Sequence, residues 1–108
     1  MDITDVLVLG GGPCGSAAYS MAAKAGLSVT LLEREKFPRH HIGESLLPAS
    51  IPLLEALGAA DEIYKAGFLP KFGATMVWGI DKSPWTWRFD ETNSEHISSY
   101  QVSRAEFD

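Results

Sequence analysis

The stretch that most limits what this chain can fold into is Val6-Leu7-Val8-Leu9 followed by Gly10-Gly11-Gly12-Pro13-Cys14-Gly15. Four apolar residues in succession, rich in branched side chains, predict a strand buried on both faces. The glycines fit G-x-G-x-x-G, with Gly10, Gly12 and Gly15 in the fixed places. Gly10 turns the chain sharply out of the strand. Gly12, without a Cβ, lets a pyrophosphate approach the backbone. Gly15 lets the next helix pack close to the strand. That helix, predicted from Ser16 to Ala25 and stopped by Gly26, aims its free N–H groups and positive dipole end at the phosphates. Ala17, Ala18, Met21, Ala22 and Ala25 recur at helical spacing and predict the face it turns to a sheet.

A glycine turn of this kind is weak by itself, and its context strengthens it. A second strand-like run, Leu27 to Leu32, ends directly at Glu33. That carboxylate falls about 20 residues beyond the turn, where it can accept hydrogen bonds from a ribose. The competing reading is an ordinary βαβ turn with an acidic strand end. Pro13 and Cys14 lie inside the phosphate turn, and Cys14 reads as a small packing residue rather than a reactive thiol.

Composition narrows the class. The chain has 108 residues, 45% of them hydrophobic, which suits one small domain with a core,. A net charge of −5 argues against a general nucleic-acid binder,. No apolar run approaches the ~18 residues of a membrane span. No basic segment precedes the apolar run, so the start does not read as a secretion signal, and a cytoplasmic protein is the simplest reading. The single cysteine excludes an internal disulfide and a multi-cysteine metal site,. His40 and His41 are adjacent and do not share one face, so no metal site is expected.

Residues 5–33 form the predicted βαβ dinucleotide-binding unit. Glu33 to Ser45 reads as an irregular charged segment, in which Arg39 and the histidines either face a bound phosphate or ring, or lie on a solvated loop. Leu46 to Leu57 predicts a helix capped by Ser45, bent at Pro52 and closed by Gly58, with Ile51, Leu53, Leu54 and Leu57 facing a core. Ala59 to Ala66 predicts a second helix, closed by Gly67. Phe68 to Gly73 reads as a linker carrying Lys71. A β-rich segment follows over 73–103: Ala74 to Ile80 and Trp85 to Phe89 as a hairpin, a polar loop from Glu91 to Ser99, and a short strand Tyr100 to Val102. Ser103 and Glu106 form a capping box. The chain stops after Asp108, so a longer polypeptide is expected, with residues 1–108 as its N-terminal portion.

With these segments in view the chain resembles the N-terminal part of flavin-dependent halogenases, in the branch acting on phenols and pyrroles, within the wider FAD-dependent monooxygenase family. The resemblance rests on Gly10-Gly-Gly-Pro-Cys-Gly15, on Leu32-Glu33-Arg34 followed by Phe37-Pro38-Arg39, on Gly43-Glu44-Ser45-Leu46-Leu47-Pro48, and on Lys71-Phe72-Gly73 followed by Trp78-Gly79. It implies an α/β chain, the start of a Rossmann-like FAD-binding fold whose later hairpin contributes to a substrate-domain sheet. It implies FAD held by Gly10, Gly12, Pro13, Cys14, Gly15, Glu33, Arg34 and Arg39, with Glu44 and Ser45 by the flavin or beside a tunnel. Reduced FAD, supplied by a separate reductase, would turn O2 and chloride or bromide into hypohalous acid. Lys71 would direct that species at an electron-rich aromatic ring, free or tethered to a carrier protein. A Trp-x-Trp-x-Ile-Pro motif is not present as such: Trp85-Thr86-Trp87 is followed by Arg88-Phe89-Asp90, and reads as strand aromatics lining a core or pocket. An FAD-dependent monooxygenase or reductase without halogenation is the alternative, and a non-catalytic nucleotide-binding module is a third reading.

Overall fold

The computed structural model describes residues 3–92 and 95–108. In chain order its elements are β1 (Val6–Leu9), α1 (Pro13–Lys24), β2 (Val29–Leu32), α2 (Ser50–Leu57), α3 (Ala60–Ala66), β3 (Leu69–Lys71), β4 (Gly73–Met76), β5 (Trp85–Arg88), a 3-10 turn (Phe89–Glu91), β6 (Ser99–Gln101) and α4 (Arg104–Phe107). They fall into two compact units: the chain up to Ile42 together with Arg104–Asp108, and Gly43–Ser103.

In the first unit β1 and β2 pair in parallel, from Val6 opposite Val29 to Leu9 opposite Leu32, with α1 as the crossover. The register is pinned where the strands begin. The Asp5 carboxylate accepts from the Ser28 N–H at 2.9 Å and the Ser28 hydroxyl at 2.7 Å. These bonds hold the Asp5 carboxyl below its usual range,. Gly10 takes φ +105°, a left-handed conformation that turns the chain toward the helix,. A Cβ on Gly15 would collide with the Gly10 carbonyl and meet Val8 Cγ1 at 3.3 Å. Glycine there therefore sets how close α1 sits to β1.

Three expectations change in this unit. The helix starts at Pro13, whose missing N–H is no loss in a first helical turn, and not at Ser16,. Its half-buried positions are Pro13, Gly15, Ser16, Ala17, Ser20 and Ala22, whereas Ala18 and Met21, and Ala25 just past its end, are exposed. The first strand is covered on one face only. Val6 and Val8 are half-buried while Leu7 and Leu9 are 54% and 76% exposed, in keeping with α1 packing on one side of the pair.

In the second unit the predicted linker is strand β3, which pairs antiparallel with β6: Leu69 opposite Gln101, Pro70 opposite Tyr100, Lys71 opposite Ser99. Pro70 does not prevent the pairing, since a proline is tolerated on a strand edge, where its missing N–H takes nothing from a ladder. The other side of β6 receives residues 44–46: Val102 N–H donates to the Glu44 carbonyl at 2.7 Å and Leu46 N–H to the Tyr100 carbonyl at 2.9 Å. Ser45 therefore bridges to Gln101 and caps no helix. α2 begins later, after Ala49, with no side-chain cap. Pro52 is its third residue, where an N–H has no intrahelical partner in any case,. Ile51, Leu54 and Leu57 are half-buried and Leu53 is exposed. Gly58 (φ +79°) and Gly67 (φ +68°) end α2 and α3 in the left-handed region,.

The hairpin forms as predicted, with β4 and β5 antiparallel from Gly73 opposite Arg88 to Met76 opposite Trp85. It is shorter than expected: Val77, Trp78 and Ile80 lie outside it and are exposed. Phe89 leaves the strand for the 3-10 turn, where it is 1% exposed and meets Trp87 edge-to-face at 5.4 Å. The expected loop from Glu91 to Ser99 opens on that turn and ends in β6, and its residues Asn93 and Ser94 lie outside the described residues. Phe89, Val102, Ser99 and Ile63 are the buried residues of this unit.

Candidate functional site

The first unit gathers its polar groups around the turn into α1. Glu33, at the end of β2, accepts the Gly11 N–H at 2.7 Å through one carboxylate oxygen and the Glu35 N–H at 2.8 Å through the other. The Gly11 bond, then the Glu35 bond, hold its carboxyl below the usual range, with the Arg39 charge adding to them,. The oxygen that takes the Gly11 N–H also receives Arg39 Nη2 at 3.5 Å, and the other keeps room for a further donor,. Glu33, Arg34, Glu35, Arg39 and His41 line an open cleft of about 550 Å³ with Leu9, Gly10 and Leu32. Arg34 is 90% exposed at its rim.

Arg39 stands against the glycine turn itself. Its Nη2 lies 3.3 Å from where a Cβ on Gly12 would be. The side chain is 9% exposed, and its carboxylate contacts are long: Glu33 at 3.5 Å, Asp108 at 3.6 Å and Glu35 at 3.7 Å. Its buried Nε has no hydrogen-bond partner among the described residues. A second guanidinium, Arg104, brings Nη2 to 3.7 Å from the same absent Cβ. Arg104 is tied to Asp108 at 2.6 and 2.9 Å, and its Nη1 donates to the Ile42 carbonyl at 3.0 Å. Pro13 is the first helical residue, and Cys14 is exposed.

Two guanidiniums beside a helix N-terminus, over a glycine that leaves them room, are groups suited to an oxyanion such as a pyrophosphate. The ribose-type carboxylate at the end of β2 completes a set of donors and acceptors suited to a dinucleotide. The residues present fit that cofactor class. Sequence reading missed Arg104 and Asp108. Their i,i+4 spacing predicts a helical ion pair, but nothing local predicts that the pair joins the glycine turn.

In the second unit Lys71 is half-buried and donates from Nζ to the Ser45 hydroxyl. The ammonium stands 5.9 Å from the centroid of the buried Phe89 ring, within cation–π range,. Lys71 and Ser99 are directly opposed, so their side chains leave the sheet on one face,. The Ser99 hydroxyl is buried and without a partner among the described residues. Ser45 and the exposed Glu44 reach this unit through the β6 pairing already described.

Comparison with known proteins adds the following. Residues 5–105 match the family described as tryptophan halogenase. The chain is 42% identical over 105 residues to a tryptophan 2-halogenase of Chondromyces crocatus, covering 97% of this chain and 19% of that protein. It is 50% identical over 80 residues to a 1H-pyrrole-2-carbonyl peptidyl-carrier-protein chlorinase of Pseudomonas fluorescens, covering 74% of this chain and 18% of that protein. Among solved structures, the myxobacterial chondrochloren halogenase CndH, a variant of FAD-dependent halogenases, superposes with a TM-score of 0.88 at 47% identity, over 99% of this chain and 25% of that one. The chain thus spans about a fifth of the length of these curated relatives.

Proposed function

The chain belongs to the tryptophan halogenase family and carries the N-terminal part of a Rossmann-like FAD-binding fold, and from that premise we propose that its protein is an FADH2-dependent halogenase of natural-product biosynthesis. Its substrate is an electron-rich aromatic ring, a phenol or a pyrrole, free or held on a carrier protein. The named activity of the pyrrole-carbonyl relative supports a ring of that kind and a carrier. Chloride or bromide is the co-substrate, a separate flavin reductase supplies reduced cofactor, and the location is cytoplasmic.

The cofactor, when bound, supplies the oxygen activation that oxidises halide to hypohalous acid. The chain's own residues do the rest. Gly10, Gly12, Pro13, Cys14 and Gly15 form the phosphate turn, Arg39 and Arg104 face the phosphates, and Glu33 accepts from a ribose. Arg34 borders the cleft. Lys71 is the catalytic amine. One of its N–H bonds is spent on Ser45, and the others remain to hold hypohalous acid; alternatively the ammonium first gives up a proton, and the neutral amine takes the halogen from hypohalous acid onto nitrogen as the N–H proton and the hydroxide leave as water. Either route delivers an electrophilic halogen to the ring, whose displaced proton must then leave. Ser45 fixes the direction of the amine, and Glu44 beside it borders the same region.

The observation that supports this reading most is the pair of guanidiniums meeting over Gly12. The test is product analysis by mass spectrometry: full-length enzyme, a flavin reductase, O2 and a panel of phenols and pyrroles, with chloride and with bromide. A product in which one ring hydrogen is replaced by the halide supplied supports the reading. Hydroxylated product with either halide would assign the protein to the monooxygenases instead.

A further inference from the structure

We propose that Asp108 is a positioning residue that holds the two phosphate-facing arginines in place, an inference that rests on the dinucleotide reading above. The Asp108 side chain has 0% exposure. A carboxylate removed from water needs strong partners, and Asp108 has two cations. Its Oδ1 accepts Arg104 Nε at 2.6 Å and its Oδ2 accepts Arg104 Nη2 at 2.9 Å, a two-point fork that fixes the plane of the guanidinium,. The same Oδ2 lies 3.6 Å from Arg39 Nη2. One buried carboxylate therefore sets the spacing of both cations at the glycine turn, 3.3 and 3.7 Å from the missing Cβ of Gly12. Arg39 depends on that hold. Its other carboxylate contacts are at 3.5 and 3.7 Å, and its Nε makes no hydrogen bond among the described residues.

Charge and position predict opposite signs, which makes the inference decidable. Asp108 is a negative charge close to a site for phosphates. If only its charge mattered, neutralising it would tighten anion binding. If it positions the arginines, neutralising it releases them and binding weakens.

The experiment is calorimetric titration of full-length apo-protein with ADP, which carries the pyrophosphate without the flavin, and with adenosine, which carries neither charge nor phosphate. Asp108→Asn should weaken ADP on the order of tenfold, the loss of about one charge-assisted hydrogen bond, and leave adenosine unchanged. Asp108→Glu, which keeps the charge but displaces it by one methylene, should show a smaller loss confined to ADP. Tighter or unchanged ADP binding in Asp108→Asn would overturn the inference, as would an equal loss for ADP and adenosine, which marks a general structural role. Should Asp108→Asn not fold, the Glu variant decides, and parental ADP affinity there overturns the inference. A parent that binds neither ADP nor FAD removes the dinucleotide reading itself, and this inference with it.

Discussion

Gly12 adopts φ −73° and ψ −176°, an extended conformation open to any residue,. The backbone does not require glycine there. What a side chain would take is the space between Arg39 and Arg104. Gly12→Val should therefore crowd both guanidiniums and bind FAD at least about tenfold more weakly, as read by flavin fluorescence titration,. Parental affinity would mean that no phosphate rests in that space. Glu33 gives a different kind of prediction. Its carboxyl titrates below the ordinary range because the Gly11 and Glu35 N–H groups bind its charged form. Its contribution is therefore complete above the ordinary carboxylate range and is lost as pH falls through the lower folded value. Glu33→Gln should flatten the acid limb of the stability profile, measured by thermal melting from neutral pH downward. An unchanged limb would show that these bonds carry no proton linkage. Glycine turn and carboxylate were both legible in the sequence because each acts within one βαβ unit. Arg104 and Asp108 were not, since Arg104 reaches the carbonyl of Ile42, 62 residues earlier.

At the scale of elements, most of the helices and strands were readable and β3 was not. The parallel pair, the hairpin and the glycine stops of α2 and α3 follow from local chemistry. β3 was hidden because its three residues include a proline and their pairing partner lies 30 residues on. Ser45 looked like a helix cap for a related reason: residues 44–46 are drawn to the far side of β6, and a serine followed by helix formers does not announce that. These two misreadings concern the pair that matters most in this unit, since β3 carries Lys71 and the 44–46 segment carries its acceptor. Phe89 closes the group from below. A phenylalanine that is 1% exposed contributes by filling volume, so Phe89→Ala should cost about 3–5 kcal/mol in chemical denaturation of the full-length protein,. A cost below about 1 kcal/mol would show that Phe89 is not a core residue of this unit.

The chain folds into two compact units. One carries the glycine turn, Glu33 and the two arginines, and the other carries the amine. Each leaves apolar surface exposed: Leu7, Leu9 and Leu32 on the open face of the parallel pair, and Trp78, Ile80 and Trp85 around the hairpin. None of the helices among the described residues is long and apolar enough to cross a membrane. Under the proposed function, flavin binding and halogen delivery are separable, because the residues proposed for them lie in different units. The most direct measurement is halogenated product and FAD affinity, side by side, in full-length Lys71→Ala. FAD affinity at the parental value, with halogenated product reduced by about a hundredfold or more, is the predicted result. Product formed at the parental rate would contradict the account, because halogen would then be reaching the ring without this amine.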